Sequence, residues 1–454
     1  MKALELKHKS KVIVAALAAI AAGQALLAQT DPGPRGGPSN AGNPLPGLTA
    51  AELAYFTEGA SRFRELDSVT GTEPGATGNG LGPRFNLNSC AGCHAQPTVG
   101  GSSPSPTSKQ NALVNPQIAM ATEYGATNTI PAFIQPNGPV RAVRFVRNHD
   151  GTPDGGVHDL FTVTGRSDAA GCSIAQPDFD TAVAQQNAVF RTPIPLFGDG
   201  LLEMIPESAI LANLAANAQP KAQFGIAGTV NRNPNDATIT RFGWKAQNKS
   251  LLLFAGEAYN VEQGVTNDLF PNERDETPGC VFNGIAEDHF TRTATSPTAA
   301  LSDIVGFAEF MRYLAPPVPV PGPPNPSVGH GSQVFAQVGC ALCHTPTLQT
   351  GLSQSTAMSN QTVHLFSDLA LHNMGSGLAD GIAQGLATGN DWRSAPLWGL
   401  GQKIFLLHDG RTTDLVDAIQ QHASPGSEGN VSVQSFNALP PQAKQDLLNF
   451  LRSL

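Results

Sequence analysis

Cys90-Ala91-Gly92-Cys93-His94 and Cys340-Ala341-Leu342-Cys343-His344 are two copies of one pentapeptide, Cys-x-x-Cys-His. Each reads as a c-type haem attachment site, in which two thiols bond the haem vinyl groups and the next histidine supplies an iron ligand. Two intervening residues set both thiols on one turn, and the histidine then lies under the ring. A structural zinc site needs a second Cys or His pair close by, and neither copy has one. A thioredoxin-like dithiol leaves the histidine unexplained. The spacing therefore predicts two covalently bound haems, with Cys90, Cys93, Cys340 and Cys343 as attachment points and His94 and His344 as iron ligands.

The start of the chain agrees with that chemistry. Lys2, Lys7, Lys9 and Lys11 precede an apolar run over residues 12–22, which gives way to small residues at Ala25 and Ala28. This is the pattern of a secretory signal peptide, assigned to residues 1–28. The run is too short for a permanent membrane span. Covalent haem attachment in bacteria is generally extracytoplasmic, so a periplasmic protein with no stable membrane span after processing is expected.

Composition narrows the class. Only 14% of residues are charged, against 47 Gly and 36 Pro, which predicts ordered loops rather than long solvated helices. The formal charge is −9, and loss of residues 1–28 would take it to about −12. A nucleic-acid-binding face is excluded on that balance. An acidic surface suits a basic electron-donor protein, although acidity also serves plain solubility. Four of the six cysteines belong to the pentapeptides, leaving Cys172 and Cys280. An even remainder in an oxidising compartment predicts one disulfide, closing a loop of about 109 residues and stabilising by roughly 4–5 kcal/mol on chain-entropy arithmetic.

An internal echo organises the chain. Gly59-x-x-x-Phe63 precedes the first pentapeptide and Gly331-x-x-x-Phe335 the second. Both are similar to the first helix of a cytochrome c fold. At the end, Leu447, Leu448, Phe450, Leu451 and Leu454 recur at helical spacing and predict a helix over 441–454. Between the halves, residues 315–326 hold seven prolines in twelve positions, a stiff linker that cannot be helix or central strand. The expected division is a signal peptide (1–28), an N-terminal haem domain with a large insertion (29–314), the linker (315–327) and a C-terminal cytochrome c domain (328–454). The fold expected is mainly α, with two cytochrome c-like haem domains and a small β element in the insertion, from residues 140–146 and 160–163. Helices are predicted over 208–219 and 303–314, and residues 241–259 as a buried amphipathic helix with a leading turn.

The segments Asn88-Ser-Cys-Ala-Gly-Cys-His94, Gly155-Gly-Val-His-Asp-Leu-Phe161, Phe197-Gly-Asp-Gly-Leu-Leu-Glu203, Leu371-His-Asn-Met-Gly375, Asp391-Trp-Arg-Ser-Ala-Pro-Leu-Trp398 and His408-Asp-Gly-Arg-Thr412 carry a family likeness. The chain resembles the di-haem oxidoreductases, also called thiol oxidoreductases. They are distantly similar to bacterial di-haem cytochrome c peroxidases and to MauG. The resemblance implies a di-haem peroxidase-like enzyme that reduces hydrogen peroxide to water. One haem would take electrons from a small redox donor protein, such as a cytochrome c or a cupredoxin, and pass them to the other.

It also implies site residues. In the peroxidases a His-Asp/Ser-Gly element precedes a helix that carries a methionine ligand. Here His408-Asp-Gly410 precedes a helix-like stretch ending at His422, so His422 is the expected distal ligand of the second haem, with Met374 and His408 as alternatives. For the first haem the distal candidates are His158, then His149 and His289, each of which could equally be a structural histidine. Glu203 is the candidate general acid/base, following an aromatic-x-Asp-Gly element, and a helix cap or ion-pair partner is its bland alternative. Arg393 is expected to pair with a haem propionate. The peroxidases carry a tryptophan directly before the Asp-Gly, where this chain has Gly198, so Trp244 or Trp398 is the alternative electron route. The related peroxidases hold calcium between domains, but this sequence has no EF-hand-like loop, so calcium is left open. Two other readings stand beside the peroxidase. One is an electron-transfer cytochrome without a substrate site. The other is MauG-like oxidation of a protein or organic substrate, against which all four tyrosines precede the second pentapeptide.

Overall fold

The computed structural model describes residues 29–37, 41–282, 286–319 and 325–454. The expected signal peptide lies outside the described residues, as do residues 320–324 of the proline-rich linker.

Six helices frame the molecule: α1 (Ala50–Arg62), α2 (Leu251–Gln263), α3 (Asp303–Tyr313), α4 (Pro326–Gln337), α5 (Leu415–Gln420) and α6 (Pro441–Ser453). Their ends follow from local chemistry. Thr49 starts α1 with a capping box, its side chain accepting from the Glu52 amide while the Glu52 carboxylate accepts from the Thr49 amide. The Ser250 hydroxyl accepts from the Leu253 amide at the head of α2. Pro326 occupies the first turn of α4, where its missing N–H costs nothing, behind an Asn325 cap.

The Gly-x-x-x-Phe echo marks two helix crossings. A Cβ built on Gly59 of α1 would lie 2.1 Å from the Gly306 carbonyl oxygen of α3, and one on Gly331 of α4 would lie 2.0 Å from the Asp446 carbonyl oxygen of α6. Four residues on, Phe63 packs on Phe310 with ring centroids 4.8 Å apart, and Phe335 on Phe450 at 5.4 Å. Each half thus pairs the helix that leads into its pentapeptide with a later helix, at a contact only glycine permits. Phe56, Phe63, Tyr259, Phe307 and Phe310 belong to one buried cluster, and Phe335, Phe436, Leu447, Leu448 and Phe450 to another.

Of the described residues, 30% are helix and 11% strand, which corrects the mainly α expectation to a mixed fold. The strands are short ladders inside the loop-rich regions that Gly and Pro create. Residues 140–146 and 160–163 do form strands, but not with each other. Arg84–Phe85 (β1) pairs with Phe161–Thr162 (β3), and Ala142–Phe145 (β2) pairs with Ala188–Arg191 (β4), both antiparallel. A further ladder, Leu371–Asn373 (β5) with Asp391–Arg393 (β6), had no alternating signature to announce it. Cys172 and Cys280 form a disulfide buried with Phe85 and Phe161, while the four pentapeptide cysteines are free thiols. Among the described residues no helix is long and apolar enough to cross a membrane.

Candidate functional site

Each pentapeptide is a single tight turn. The His94 amide donates to the Cys90 carbonyl at 3.0 Å, and the His344 amide to the Cys340 carbonyl at 2.9 Å. Each imidazole is then aimed by a backbone oxygen. His94 Nδ1 donates to the Gly101 carbonyl at 2.9 Å and His344 Nδ1 to the Phe366 carbonyl at 3.1 Å. For His344 this leaves Nε2 as the lone-pair nitrogen, the arrangement an iron ligand needs; His94 has, besides Gly101, the Ile194 carbonyl within hydrogen-bonding reach. Burial pushes both imidazoles down to about 4, so both are neutral near pH 7; for His344 the neighbouring His422 adds to the effect. The Phe63 ring stands edge-on to His94, and the Ala91 amide donates to the Phe63 carbonyl, which ties the first turn to the end of α1.

The second turn opens on a cavity of about 270 Å³ lined by Cys340, Cys343, His344 and His422. Asp414 caps α5, its carboxylate accepting from the amides of Val416 and Asp417. Leu415, Ala418, Ile419 and His422 all line the cavity, the i, i+3, i+4, i+7 stripe of one helix face. His422 Nδ1 donates to the Ala418 carbonyl at 2.7 Å, so its Nε2 is also free. Met374 and His408 line the same space. The His408 ring lies flat on Trp392, centroids 3.8 Å apart, and burial pushes it down to about 3.

All three tryptophans of the chain, Trp244, Trp392 and Trp398, line this cavity, which also takes in Gln96, Pro97 and Ser102, close after His94. Trp398 occupies the space a side chain at Gly198 would need, since a Cβ there would lie 2.6 Å from the indole. Arg393 is buried on β6 at the cavity wall. Its Nη1 donates to the Arg241 carbonyl, while its Nε has no partner among the described residues. Lys403 lines the cavity too, its ammonium over the Trp244 ring, and burial followed by the Arg393 charge pushes it down to about 8. Asp199 is the carboxylate beside them. Burial raises it to about 8 against the pull of Arg393. At the Cys343 side, His372 is held between Asp368 (3.0 Å) and Glu428 (2.7 Å). Burial opposes its charge, but the Asp368 carboxylate raises its pKa well above the ordinary value.

Two expected site residues lie elsewhere. Glu203 does not line the cavity. One oxygen accepts from the Leu251 amide at the start of α2 and the other from Arg312 at 2.9 Å, so it caps a helix and closes an ion pair. His158 is held by Asp154 at 2.8 Å and stacked on Phe145 at 3.8 Å, the surroundings of a structural histidine. His149 and His289 are exposed. Asp199, Lys403 and His372 escaped the sequence reading. The first and last stood inside quoted family segments without a signal separating them from their neighbours. Lys403 had no motif at all.

The donor set suits haem: paired thiols free of any disulfide, buried neutral imidazoles, and a buried guanidinium and ammonium to meet carboxylates. Among the described residues, no group of three or more His, Cys, Asp or Glu side chains is placed to hold a metal ion by itself. Such a make-up defines a haem-dependent redox protein. The chain belongs to the family described as "Di-haem oxidoreductase, putative peroxidase", which matches residues 143–454. That span includes the second pentapeptide and leaves the first outside it.

No curated protein matches the chain significantly. Among solved structures, a MauG-like protein associated with microbial copper homeostasis is 19% identical over 36% of this chain and 55% of its own, with a TM-score of 0.24. Hydrazine synthase of Kuenenia stuttgartiensis is 17% identical over 39% of this chain and 59% of its own, with a TM-score of 0.23. The chain therefore spans little more than half of either structure, and overlaps this small define no shared fold.

Proposed function

We propose that this chain is an extracytoplasmic two-centre c-type haem oxidoreductase that reduces hydrogen peroxide to water. The observation that carries the reading is an asymmetry. His344 shares its cavity with a second freed imidazole, His422, whereas the three histidines considered as partners for His94 are exposed or tied to other groups. A haem held at each pentapeptide supplies one-electron iron chemistry. His344 and His422 would hold one of these haems as a pair of imidazole ligands, which suits that centre to electron transfer. His94 would hold the other, and none of those three histidines is placed to join it there, which suits that centre to binding a small oxidant.

The remaining chemistry falls to the chain. Reducing one peroxide to two waters consumes two electrons and two protons. The electrons come one at a time from a small redox protein, such as a cytochrome c or a cupredoxin, whose basic face the acidic chain would attract. Asp199 is the proton carrier in this reading. It replaces Glu203 because it lines the cavity that reaches from the second turn to Gln96, Pro97 and Ser102 just after His94, is protonated at pH 7, and makes no ion pair among the described residues. Arg393 and Lys403 would pair with the haem carboxylates, and Trp244 or Trp398, on the same cavity wall, would carry electrons between the centres. The disulfide and the signal-like residues 1–28 support an oxidising, periplasmic location.

Electron paramagnetic resonance and optical spectra of the haem-loaded protein, oxidised and half-reduced, with and without peroxide, test the proposal. A high-spin ferric signal that responds to peroxide, beside a low-spin two-histidine signal, is expected. Two low-spin centres unresponsive to peroxide in both redox states would leave an electron-transfer cytochrome instead.

A further inference from the structure

Residues 29–37 bond to the C-terminal half of the chain as well as to Gln110 of the N-terminal half. Thr30 and Gln445 of α6 exchange hydrogen bonds, the Thr30 amide to Gln445 Oε1 at 2.9 Å and Gln445 Nε2 to the Thr30 carbonyl at 3.0 Å. The Arg35 amide donates to the Gly401 carbonyl at 2.7 Å, and the Gln402 side chain to the Gly37 carbonyl at 3.3 Å. Asp31 is the centre of the segment. Arg452 grips its carboxylate with two bonds, Nε to Oδ1 at 2.8 Å and Nη2 to Oδ2 at 2.6 Å, with both side chains almost wholly buried. The other Arg452 hydrogens go to the carbonyls of Leu400, Lys403 and Thr413, so all five of its N–H groups are placed.

The same Asp31 Oδ2 accepts from the Leu415 amide at 2.8 Å. Asp414 satisfies the next two amides of α5, and the Leu415 amide is the first-turn donor it leaves over. The cap of α5 is therefore completed by a residue 384 positions away. Two turns later, just past the end of the same helix, stands His422. The apolar face of α5 is laid against the cavity, and the loop carrying Leu400 and Lys403 is held at its flank by the Arg452 node.

We propose that residues 29–37 are a strap whose Asp31 carboxylate, clamped by Arg452, sets the position of α5 and through it the reach of His422 into the second cavity. Asp31 is a positioning residue: it touches neither cofactor nor substrate. The inference rests on the reading of His422 as the second ligand of that centre. Without the charged anchor the head of α5 loses a buried hydrogen bond and a buried ion pair, and the cost appears as movement of the helix at its far end.

The test uses the haem-loaded full chain carrying Asp31→Asn, with His422→Ala as reference. In Asp31→Asn, part of the second centre should pass from low-spin to high-spin and its midpoint potential should shift. Added imidazole should restore the low-spin signal, and the first centre should keep its spectrum. A strap that merely stabilised the fold would lower the unfolding midpoint without changing spin state or potential in the folded protein. If Asp31→Asn keeps a wild-type second centre while His422→Ala does not, the strap inference is overturned and the ligand reading stands. If His422→Ala also leaves that centre unchanged, both fall together. Should Asp31→Asn fail to accumulate folded, Arg452→Lys takes its place with the same two outcomes, since it keeps the charge but gives up the fork.

Discussion

Two glycines on one helix make a sharp test of the crossing that holds the second pentapeptide. Gly331 and Gly329 both lie within α4. A Cβ at Gly331 would sit 2.0 Å from the Asp446 carbonyl oxygen and 2.7 Å from Phe450 Cβ, whereas one at Gly329 meets nothing within 4 Å. On helix propensity alone, Ala in place of Gly stabilises by about 1 kcal/mol at either position. At Gly331 the obstacle is backbone, which cannot rotate away. An ordinary contact needs about 3.4 Å or more, so α4 and α6 must part by more than an ångström, and overpacking of that kind costs about 1–3 kcal/mol, here at the upper end. Gly331→Ala is therefore expected to lose about 2 kcal/mol net, and Gly329→Ala to gain up to about 1 kcal/mol. The assay is denaturant unfolding of the haem-loaded protein, with the midpoint read from the absorbance of the second centre and from helix content. A Gly331→Ala protein as stable as wild type, or a Gly329→Ala protein weakened as much, would refute the reasoning. Gly59→Ala, 2.1 Å from the Gly306 carbonyl oxygen, should repeat the loss in the other half.

Other outcomes follow from the site. Asp199→Asn should lower peroxide turnover by about 10²-fold or more, the usual contribution of a positioned acid/base group, while Glu203→Gln should chiefly lower the unfolding midpoint; steady-state rates beside thermal melts separate the two. Because Asp199 holds its proton up to about pH 8, wild-type turnover should fall as the pH rises through that value, and the fall should vanish in Asp199→Asn; a pH–rate profile decides. Lys403→Met and Arg393→Met should each move the midpoint potential of the second centre negative, since each removes a cation that favours the reduced state, as a redox titration would read. Replacing both Cys172 and Cys280 with Ala should cost about 2–5 kcal/mol in the unfolding of the loop-rich N-terminal half.

How much of this was legible beforehand depended on distance along the chain. The pentapeptides encode their own turns, because two thiols and an imidazole within five residues leave one useful geometry. The Gly-x-x-x-Phe echo pointed to the helices that lead into them, and the period of residues 441–454 to α6, since helical faces repeat locally. The disulfide followed by counting. Strand partners did not follow, because a two- to four-residue strand contains too little alternation to choose between neighbours. Glu203 looked catalytic from its place after Asp199-Gly200, but an Arg312 more than a hundred residues away claims its charge.

The sequence by itself therefore determined the chemistry the chain can host: two turns built for haem, one oxidised cysteine pair, and two helices shaped for close crossing. Only the tertiary structure decided which groups surround that chemistry. It brought His422 into the cavity that His344 lines, set Arg393, Lys403 and Asp199 along the same cavity, and clamped Asp31 to an arginine 421 residues away. The reason is physical. Short-range geometry is written in covalent spacing and backbone preference, whereas a buried charge acquires its role only from the partners and the dielectric that packing puts around it.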